Sequence, residues 1–289
     1  MSITKQTKRG FTLIELLVVI AIIGILMALV IVGIGLMMTK TKATKDLTNH
    51  KAIGLANWSH SIDNNGRLLH PRTGVENVST QFSGADRIWV KAYDDNLNAD
   101  GSELPSALED GAAFAYIGNI DAFHSPLDLA DRLRSYSMSA FIGVEEFVDD
   151  DMELQFLDDN DPSVISFHQT ITASQIPQPS NTMSSISESD ARHPRNINGW
   201  VLDSYMASIR WYDYPAFWVP GEVNISHVDG STGTLKLTTA ALTDHWEEIL
   251  EDPTNPSNEI WNDTDRASED DYMRFRKKLL PSRIGTILD

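Results

Sequence analysis

The sequence predicts an α+β fold in which a long N-terminal helix packs on an antiparallel sheet. Three observations carry this prediction. Residues 16–38 form an apolar block without a charged residue. No proline follows this block before Pro71, so the helix can continue beyond it. Further along the chain, short apolar segments alternate with clusters of turn-forming residues, as they do where loops connect the strands of a sheet.

The apolar block is long enough to cross a membrane. As a helix that rises about 1.5 Å per residue, it would measure roughly 34 Å, against about 30 Å for the hydrocarbon core of a bilayer. We therefore expect residues 11–38 to span a membrane once. Basic residues flank the block on both sides and do not orient it by their number: Lys5, Lys8 and Arg9 before it, and Lys40, Lys42 and Lys45 after it.

The same helix is predicted to continue to residue 63. An apolar stripe near helical spacing supports this extension: Leu47, Leu55, Trp58 and Ile62. We expect this stripe to pack the outer part of the protein onto the helix. The residues from Asp63 to Gly66 would then end the helix, because Asn and Gly tolerate left-handed backbone.

Beyond the helix we expect a loop-rich α+β domain over 64–238 and a helical extension over 239–289. A β-hairpin is predicted where the alternating residues 223–228 reach Asp229-Gly230 and lead on to 234–237. The other predicted elements are a short helix within 106–116, a strand at 183–188, and helices at 240–251 and 270–280.

The composition favours a folded and acidic protein. The chain has 289 residues, of which 42% are hydrophobic, and a formal net charge of −18. Such a charge disfavours nucleic-acid binding and favours cations, sugars or other proteins as partners. Cysteine is absent, which excludes disulfides, thiolate zinc sites and cysteine nucleophiles.

The stretch before the apolar block differs from an ordinary secretory signal. In a secretory signal the small-residue cleavage site follows the apolar region. Here the basic boundary Lys8-Arg9-Gly10-Phe11 stands before it, and a lone carboxylate, Glu15, lies near its start. Residues 10–26 resemble, nearly residue for residue, the class III signal of type IV pilins and of type II secretion pseudopilins.

This resemblance implies a reaction in which the protein is the substrate. A prepilin peptidase, a membrane enzyme with aspartate active-site residues, would cut between Gly10 and Phe11 on the cytoplasmic side. It would then methylate the new amino group of Phe11, and residues 1–10 would be the leader. In a filament, the buried charge of Glu15 would pair with the Phe11 ammonium of a neighbouring subunit.

The resemblance also orients the chain and implies its partners. The N-terminus would lie in the cytoplasm, the helix would cross the inner membrane, and the outer domain would be periplasmic, or extracellular after assembly. The partners would be other pilin or pseudopilin subunits, the prepilin peptidase and an inner-membrane assembly platform. Whether the filament is a pilus or a secretion pseudopilus, and whether the subunit is major or minor, stays open.

Further segments resemble the large pilin-like proteins of planctomycetes and related bacteria. In those proteins a Cys-Pro-Ser-Asp stretch precedes a Ser-Tyr-Ser strand, as 123–128 precedes 134–139 here, with His124-Ser125 in place of the Cys. Residues 211–230 resemble their processing-associated domain, in which a His lies ten residues before an Asp-Gly turn. Val219 stands at that position here.

One turn-rich segment is the sharpest candidate for a metal site. Its alternate oxygen-bearing side chains suit a hard cation such as Ca²⁺: Asp94, Asn96, Asn98 and Asp100. It is not an EF-hand, because Ala99 occupies the glycine position. An Asx-rich turn without a metal is the alternative, and the acidic residues of 149–161 are other possible ligands. Resemblance to major pseudopilins, which carry a structural calcium, supports a cation without fixing its place.

The sequence contains none of the common hydrolase, metalloprotease, P-loop or dinucleotide-binding motifs. Five aromatic residues could form a sugar-binding platform, although we favour a place in the core: Trp200, Trp211, Tyr212, Tyr214 and Trp218. The resemblance to pilins and pseudopilins therefore implies a filament subunit rather than an enzyme. The alternative is a membrane-anchored carbohydrate-binding module or hydrolase that uses the signal for export.

Overall fold

A computed structural model describes residues 11–73, 85–144, 172–188, 199–202, 209–251 and 261–279. The contacts within the chain divide it into two compact units, Met1–Lys42 and Ala43–Asp289. Helix α1, Leu13–Asp63, begins in the first unit and ends in the second.

In the first unit, α1 is apolar and exposed over Leu13–Val30. Its segment Leu13–Val30 is long and apolar enough to cross a membrane, and none of its side chains is buried within the protein. A surface of this kind is costly in water, because every apolar side chain on it would be hydrated. The helix is therefore consistent with the predicted membrane anchor.

The described part of the second unit contains six strands: β1 Tyr136–Met138, β2 Met183–Ser187, β3 Arg210–Trp211, β4 Glu222–His227, β5 Thr232–Lys236 and β6 Trp261–Asn262. Four of them form an antiparallel sheet in the order β1-β2-β4-β5, and β3 pairs with β6 in a separate two-stranded sheet. Together with α1 and the shorter helices, these sheets confirm the predicted α+β class.

The predicted hairpin is formed by β4 and β5. Val223 pairs with Leu235, and Ile225 pairs with Gly233. In the connecting turn the Gly230 N–H donates to the His227 carbonyl over 3.0 Å. Gly230 has a φ of 80°, a left-handed conformation that glycine adopts without steric cost. The Asp-Gly signal in the sequence therefore placed this turn correctly.

The short helices are α2 Pro105–Glu109, α3 Phe114–Ile117, α4 Ala241–Glu251 and α5 Glu269–Leu279. The two C-terminal helices confirm the prediction to within one residue at each end. The prediction of a single helix within 106–116 is wrong, because the helix is interrupted at Gly111. A Cβ on Gly111 would lie 2.1 Å from the Trp89 carbonyl oxygen, and the next N–H, that of Ala112, donates to Ile88.

An aromatic core joins one face of the four-stranded sheet to the C-terminal helices. We give this name to one buried cluster, which includes Ile186, Trp200, Trp211, Tyr214, Val223, Ile225, Trp246, Tyr272 and Phe275. At the start of α5, the Asp271 carboxylate accepts bonds from the N–H and the hydroxyl of both Thr238 and Thr239. The predicted boundary at residue 239 stays a prediction, and residues on both sides of it share this core.

The main contact between α1 and the sheet is not made by the predicted apolar stripe. Ile62 is 68% exposed, so the prediction is wrong for this residue. Leu55 is 43% exposed, but its side chain lies against Gly230 in the turn between β4 and β5. Trp58 packs on a small apolar cluster that contains Leu68 and Ile142. The reason lies in strand alternation, because β2 and β4 direct apolar side chains into the aromatic core and polar ones toward α1.

We call the buried polar contact between α1 and the sheet the polar seam. It consists of Asp46, Asn49, His50 and Asn57 of α1 and Tyr136, Ser184, Ser185, Ser187, Asn224 and Ser226 of the sheet. Asp46 is 1% exposed, and its carboxylate accepts from the Tyr136 hydroxyl at 2.7 Å and the Asn224 amide at 2.8 Å. These donors compensate a carboxylate whose burial would otherwise be costly.

Asn57 links the polar seam to the chain that follows α1. Its Nδ2 donates to Ser184 Oγ over 2.9 Å, and its Oδ1 accepts from the Leu69 N–H over 2.8 Å. Asn57 and Leu69 are both fully buried. The side chain therefore satisfies a backbone N–H that would otherwise lack an acceptor.

We expect Asn57→Ala to lower the free energy of unfolding by about 1–3 kcal/mol, because it leaves the buried Leu69 N–H without its acceptor. Urea unfolding of the full chain in detergent micelles measures this change. Lys51→Ala, at an exposed position of the same helix, is the matched control and should change stability by less than about 0.5 kcal/mol. Equal effects of the two substitutions would contradict the role given to Asn57.

Candidate processing and assembly site

Thr12 and Glu15 form a reciprocal cap at the start of α1. The N–H and the hydroxyl of Thr12 each donate to Glu15 Oε2 over 2.8 Å. The Glu15 N–H returns to Thr12 Oγ1 over 3.3 Å. This is a capping box, in which two residues three positions apart satisfy each other's backbone N–H groups. Thr12 is not among the predicted site residues, although the Thr-x-x-Glu spacing signals the cap.

The cap lies within an apolar and exposed surface. Phe11 is 77% exposed, Leu13 83% and Ile14 71%. In hydrocarbon an uncompensated carboxylate is costly, so the Thr12 donors reduce the cost of holding Glu15 there. The N-terminal end of the helix dipole favours a negative charge at the same position.

The predicted cleavage bond lies at the edge of the described chain. Phe11 is its first described residue, and Gly10 lies outside the described residues. The proximity of Phe11 to the capping box follows from the sequence, since Thr12 comes next. The cut between Gly10 and Phe11 and the assembly role of Glu15 stay predictions.

Comparison with known families decides what this N-terminus is. The family model described as "Prokaryotic N-terminal methylation motif" matches residues 5–31. The chain carries a class III prepilin signal. With the apolar helix that follows it, this prepilin signal supports a type IV pilin-like protein. A search of curated proteins and a search of solved structures each found no match.

The predicted cation ligands lie in a hydrogen-bonded turn. Asp94 and Asn96 are the first and last residues of a 3₁₀ helix, and the Asn96 side-chain amide donates to the Lys91 carbonyl over 3.1 Å. The Asn98 amide donates to Ser102 Oγ over 2.9 Å. Ser102 donates to Asp100 Oδ1 from its N–H at 2.9 Å and its hydroxyl at 2.6 Å, and these bonds lower the pKa of Asp100.

These bonds are those of an Asx-rich turn. Within the described ranges, no three or more His, Asp or Glu side chains are grouped so that they could hold a metal ion. The predicted set relies on two Asn side chains, so this finding does not bear on it. Calcium at Asp94, Asn96, Asn98 and Asp100 stays a prediction, and the alternative ligands within 149–161 lie outside the described residues.

Most of the aromatic residues considered for a sugar platform belong to the core, as we favoured. Trp200, Trp211 and Tyr214 are 0% exposed. The Trp211 ring packs edge-on against Tyr272, and its Nε1 donates to Ser268 Oγ over 3.0 Å. Trp218 and Tyr212 are half-buried. A flat platform for a sugar needs exposed rings, and three of the five are inside the protein.

The structure brings together the two segments that resemble the Cys-Pro-Ser-Asp stretch and its strand. The Ser135 N–H donates to the Phe123 carbonyl over 2.9 Å, and the Ser125 N–H donates to Ser135 Oγ over 3.1 Å. The Ser135 hydroxyl then donates to Asp128 over 2.7 Å. Hydrogen bonds therefore connect these segments without the cysteine. The resemblance of 211–230 to a processing-associated domain stays a prediction.

We expect Thr12→Val to weaken the first turn of α1, because valine keeps the shape of threonine and removes the hydroxyl of the capping box. Amide hydrogen exchange at residues 13–16 should accelerate by roughly fivefold, as loss of an N-cap predicts. Nuclear magnetic resonance of the full chain in micelles measures it. Thr12→Ser retains the hydroxyl and should exchange like the unaltered chain. Equal acceleration by both variants would contradict the cap.

Proposed function

We propose that the protein is a structural subunit of a type II secretion or type IV pilus-like filament. The observation that carries the proposal is the methylation motif at residues 5–31, which continues into an exposed apolar helix. The proposal makes the protein a substrate of a prepilin peptidase and an assembly component, and it assigns no catalytic residue to the chain.

Processing would begin at the cytoplasmic face of the inner membrane. Hydrolysis of the Gly10–Phe11 bond would release residues 1–10 and leave Phe11 with a free amino group, which a methyl donor then alkylates. The basic leader residues depart with the leader, so the membrane helix would start at an apolar end that carries a single positive charge. The remaining chain, from Ala43 on, would face the periplasm, or the cell exterior after assembly.

Glu15 would connect processing to assembly. In the single chain its carboxylate is held by Thr12, and both of those hydrogen bonds end on Oε2. In a filament, the Phe11 ammonium of a neighbouring subunit would supply the opposite charge that a carboxylate in hydrocarbon requires. The partners would be other pilin-like subunits and the inner-membrane assembly platform.

The rival function, a membrane-anchored carbohydrate-binding module or hydrolase, has less support. Its best sugar platform depended on aromatic residues that are buried in the aromatic core. The prepilin signal itself suggests a structural subunit. We therefore propose the filament subunit alone.

We expect Gly10→Ala to leave an uncut precursor in the membrane, because the peptidase would no longer find the small residue before the cut. Mass spectrometry of the N-terminus measures the outcome: Met1 or Ser2 in the variant, and methylated Phe11 in the unaltered chain. Gly24→Ala is the matched control, since a Cβ at Gly24 meets no atom within 4 Å. A processed and methylated Phe11 in the Gly10→Ala variant would overturn the proposed reaction.

We expect Glu15→Gln to be processed normally but to enter filaments at roughly one tenth of the normal level or less, because the Phe11 ammonium of the neighbour loses its counter-charge. Filaments sheared from cells and quantified by immunoblot measure assembly, with the membrane fraction as reference. Glu109→Gln removes an exposed carboxylate from α2 and serves as control. Normal filament yield from Glu15→Gln would contradict the assembly role.

A further inference from the structure

The polar seam contains a completely buried histidine. Both ring nitrogens of His50 are hydrogen-bonded, Nδ1 with Ser185 Oγ and Nε2 with Ser187 Oγ, each over 2.8 Å. The ring packs edge-on against Tyr136, with 4.5 Å between the ring centroids. Burial lowers the pKa of His50 to about 4, and the Asp46 carboxylate opposes this shift. The folded protein therefore holds His50 neutral at pH 7.

The direction of the hydrogen bonds fixes which ring nitrogen carries the proton. The Ser187 hydroxyl donates to Asp46 Oδ2 over 3.4 Å, so Ser187 Oγ accepts from the His50 Nε2–H. His50 Nδ1 is then the acceptor of a hydrogen bond that the Ser185 hydroxyl donates. Ser185 Oγ in turn accepts from Ser226 over 2.6 Å. An oriented chain of donors thus runs from Ser226 through the neutral ring to Asp46.

A second proton on His50 disrupts this chain. The new Nδ1–H would point at the Ser185 hydroxyl, which would have to turn its own hydrogen away and become the acceptor. A positive charge would also be buried. The described groups that face His50 are Asp46 from α1, Tyr136 from β1, Ser185 and Ser187 from β2, and Ser226 from β4. Asp46 is the charged one among them, and its oxygens are already engaged by Tyr136 and Asn224.

The contact that His50 supports is separate from the aromatic core. Ser185, Ser187 and Ser226 meet α1, whereas Ile186 and Ile225, their neighbours along the same strands, belong to the aromatic core. The first contact consists of these hydrogen bonds together with Ile53 of α1, which is buried in an apolar cluster that includes Met138 and shares no residue with the aromatic core. Apolar burial makes up the second. Loss of the first contact therefore leaves the second one in place.

We propose that the polar seam opens in acid: protonation of His50 releases residues 43–63 of α1 from the sheet, while the aromatic core stays folded. The sign follows from linkage. The opened segment takes up a proton near the ordinary His pKa of about 6.5, and the closed seam takes it up only near 4. The stability that the neutral His50 contributes to the closed state is fully present above about pH 6.5 and is lost as the pH falls from there toward 4. The opening constant should rise by up to roughly tenfold per pH unit in this interval.

Hydrogen exchange of the full chain in detergent micelles, followed by mass spectrometry between pH 7 and 4, tests the proposal. After correction for the intrinsic pH dependence of exchange, the amides of residues 45–57 should lose protection as the pH falls, while those of α5 keep it. In His50→Gln, whose amide can still donate and accept, the protection of 45–57 should change less than twofold over the same range. His245→Gln replaces a half-buried histidine of α4 outside the polar seam and should behave like the unaltered chain.

Two results would overturn the proposal: the same acid-induced loss of protection in His50→Gln, or loss of protection in 45–57 and α5 together. If His50→Gln does not fold, the unaltered chain still decides the question. The His50 ring resonance must titrate over the pH interval in which residues 45–57 open, and a ring that stays neutral while they open contradicts the proposal.

Discussion

The Asp46 carboxylate is the charged group on which the contact between α1 and the sheet depends. It accepts hydrogen bonds from β1, β2 and β4, so three strands meet the helix at one pair of oxygens. Apolar contacts tolerate sliding, whereas a buried carboxylate must keep its donors. The helix can therefore occupy only one position along the sheet. The hydrogen bond from the Leu69 N–H to Asn57 also fixes where the chain that follows the helix begins its path.

A second carboxylate, that of Glu15, is also compensated by hydrogen-bond donors, but in a different way from Asp46. Glu15 takes its donors from Thr12, three residues earlier and within one helical turn, whereas Asp46 takes its donors from across the fold. A local cap is complete in the single chain and can still accept a cation from outside. A network drawn from three strands is closed. This difference fits the functions proposed for them, with Glu15 in contact between subunits and Asp46 inside one subunit.

Local signals predicted much of the fold and of the candidate site. The Asp-Gly turn predicted the β4–β5 hairpin, the helices predicted at 240–251 and 270–280 correspond to α4 and α5, and the signal at residues 5–31 is a contiguous chemical pattern. The buried face of α1 could not be predicted, because the alternation in β2 and β4 suggests a polar face toward solvent, and α1 covers that face instead. Likewise, the helix is interrupted at Gly111 because the backbone there packs closely against Trp89, and this contact cannot be inferred from the spacing of residues in the sequence.

The four hydrogen bonds to Asp271 have a consequence for the order in which the protein can form. They attach α5 to the chain just after β5, and α5 supplies Tyr272 and Phe275 to the aromatic core. The strands of the sheet emerge from the ribosome long before α5 does. Until then, the apolar side of β2 and β4 has no complete cover. The outer domain must therefore stay incompletely folded until α5 has been synthesised, an interval in which a folding helper or a nearby membrane surface would protect it from aggregation.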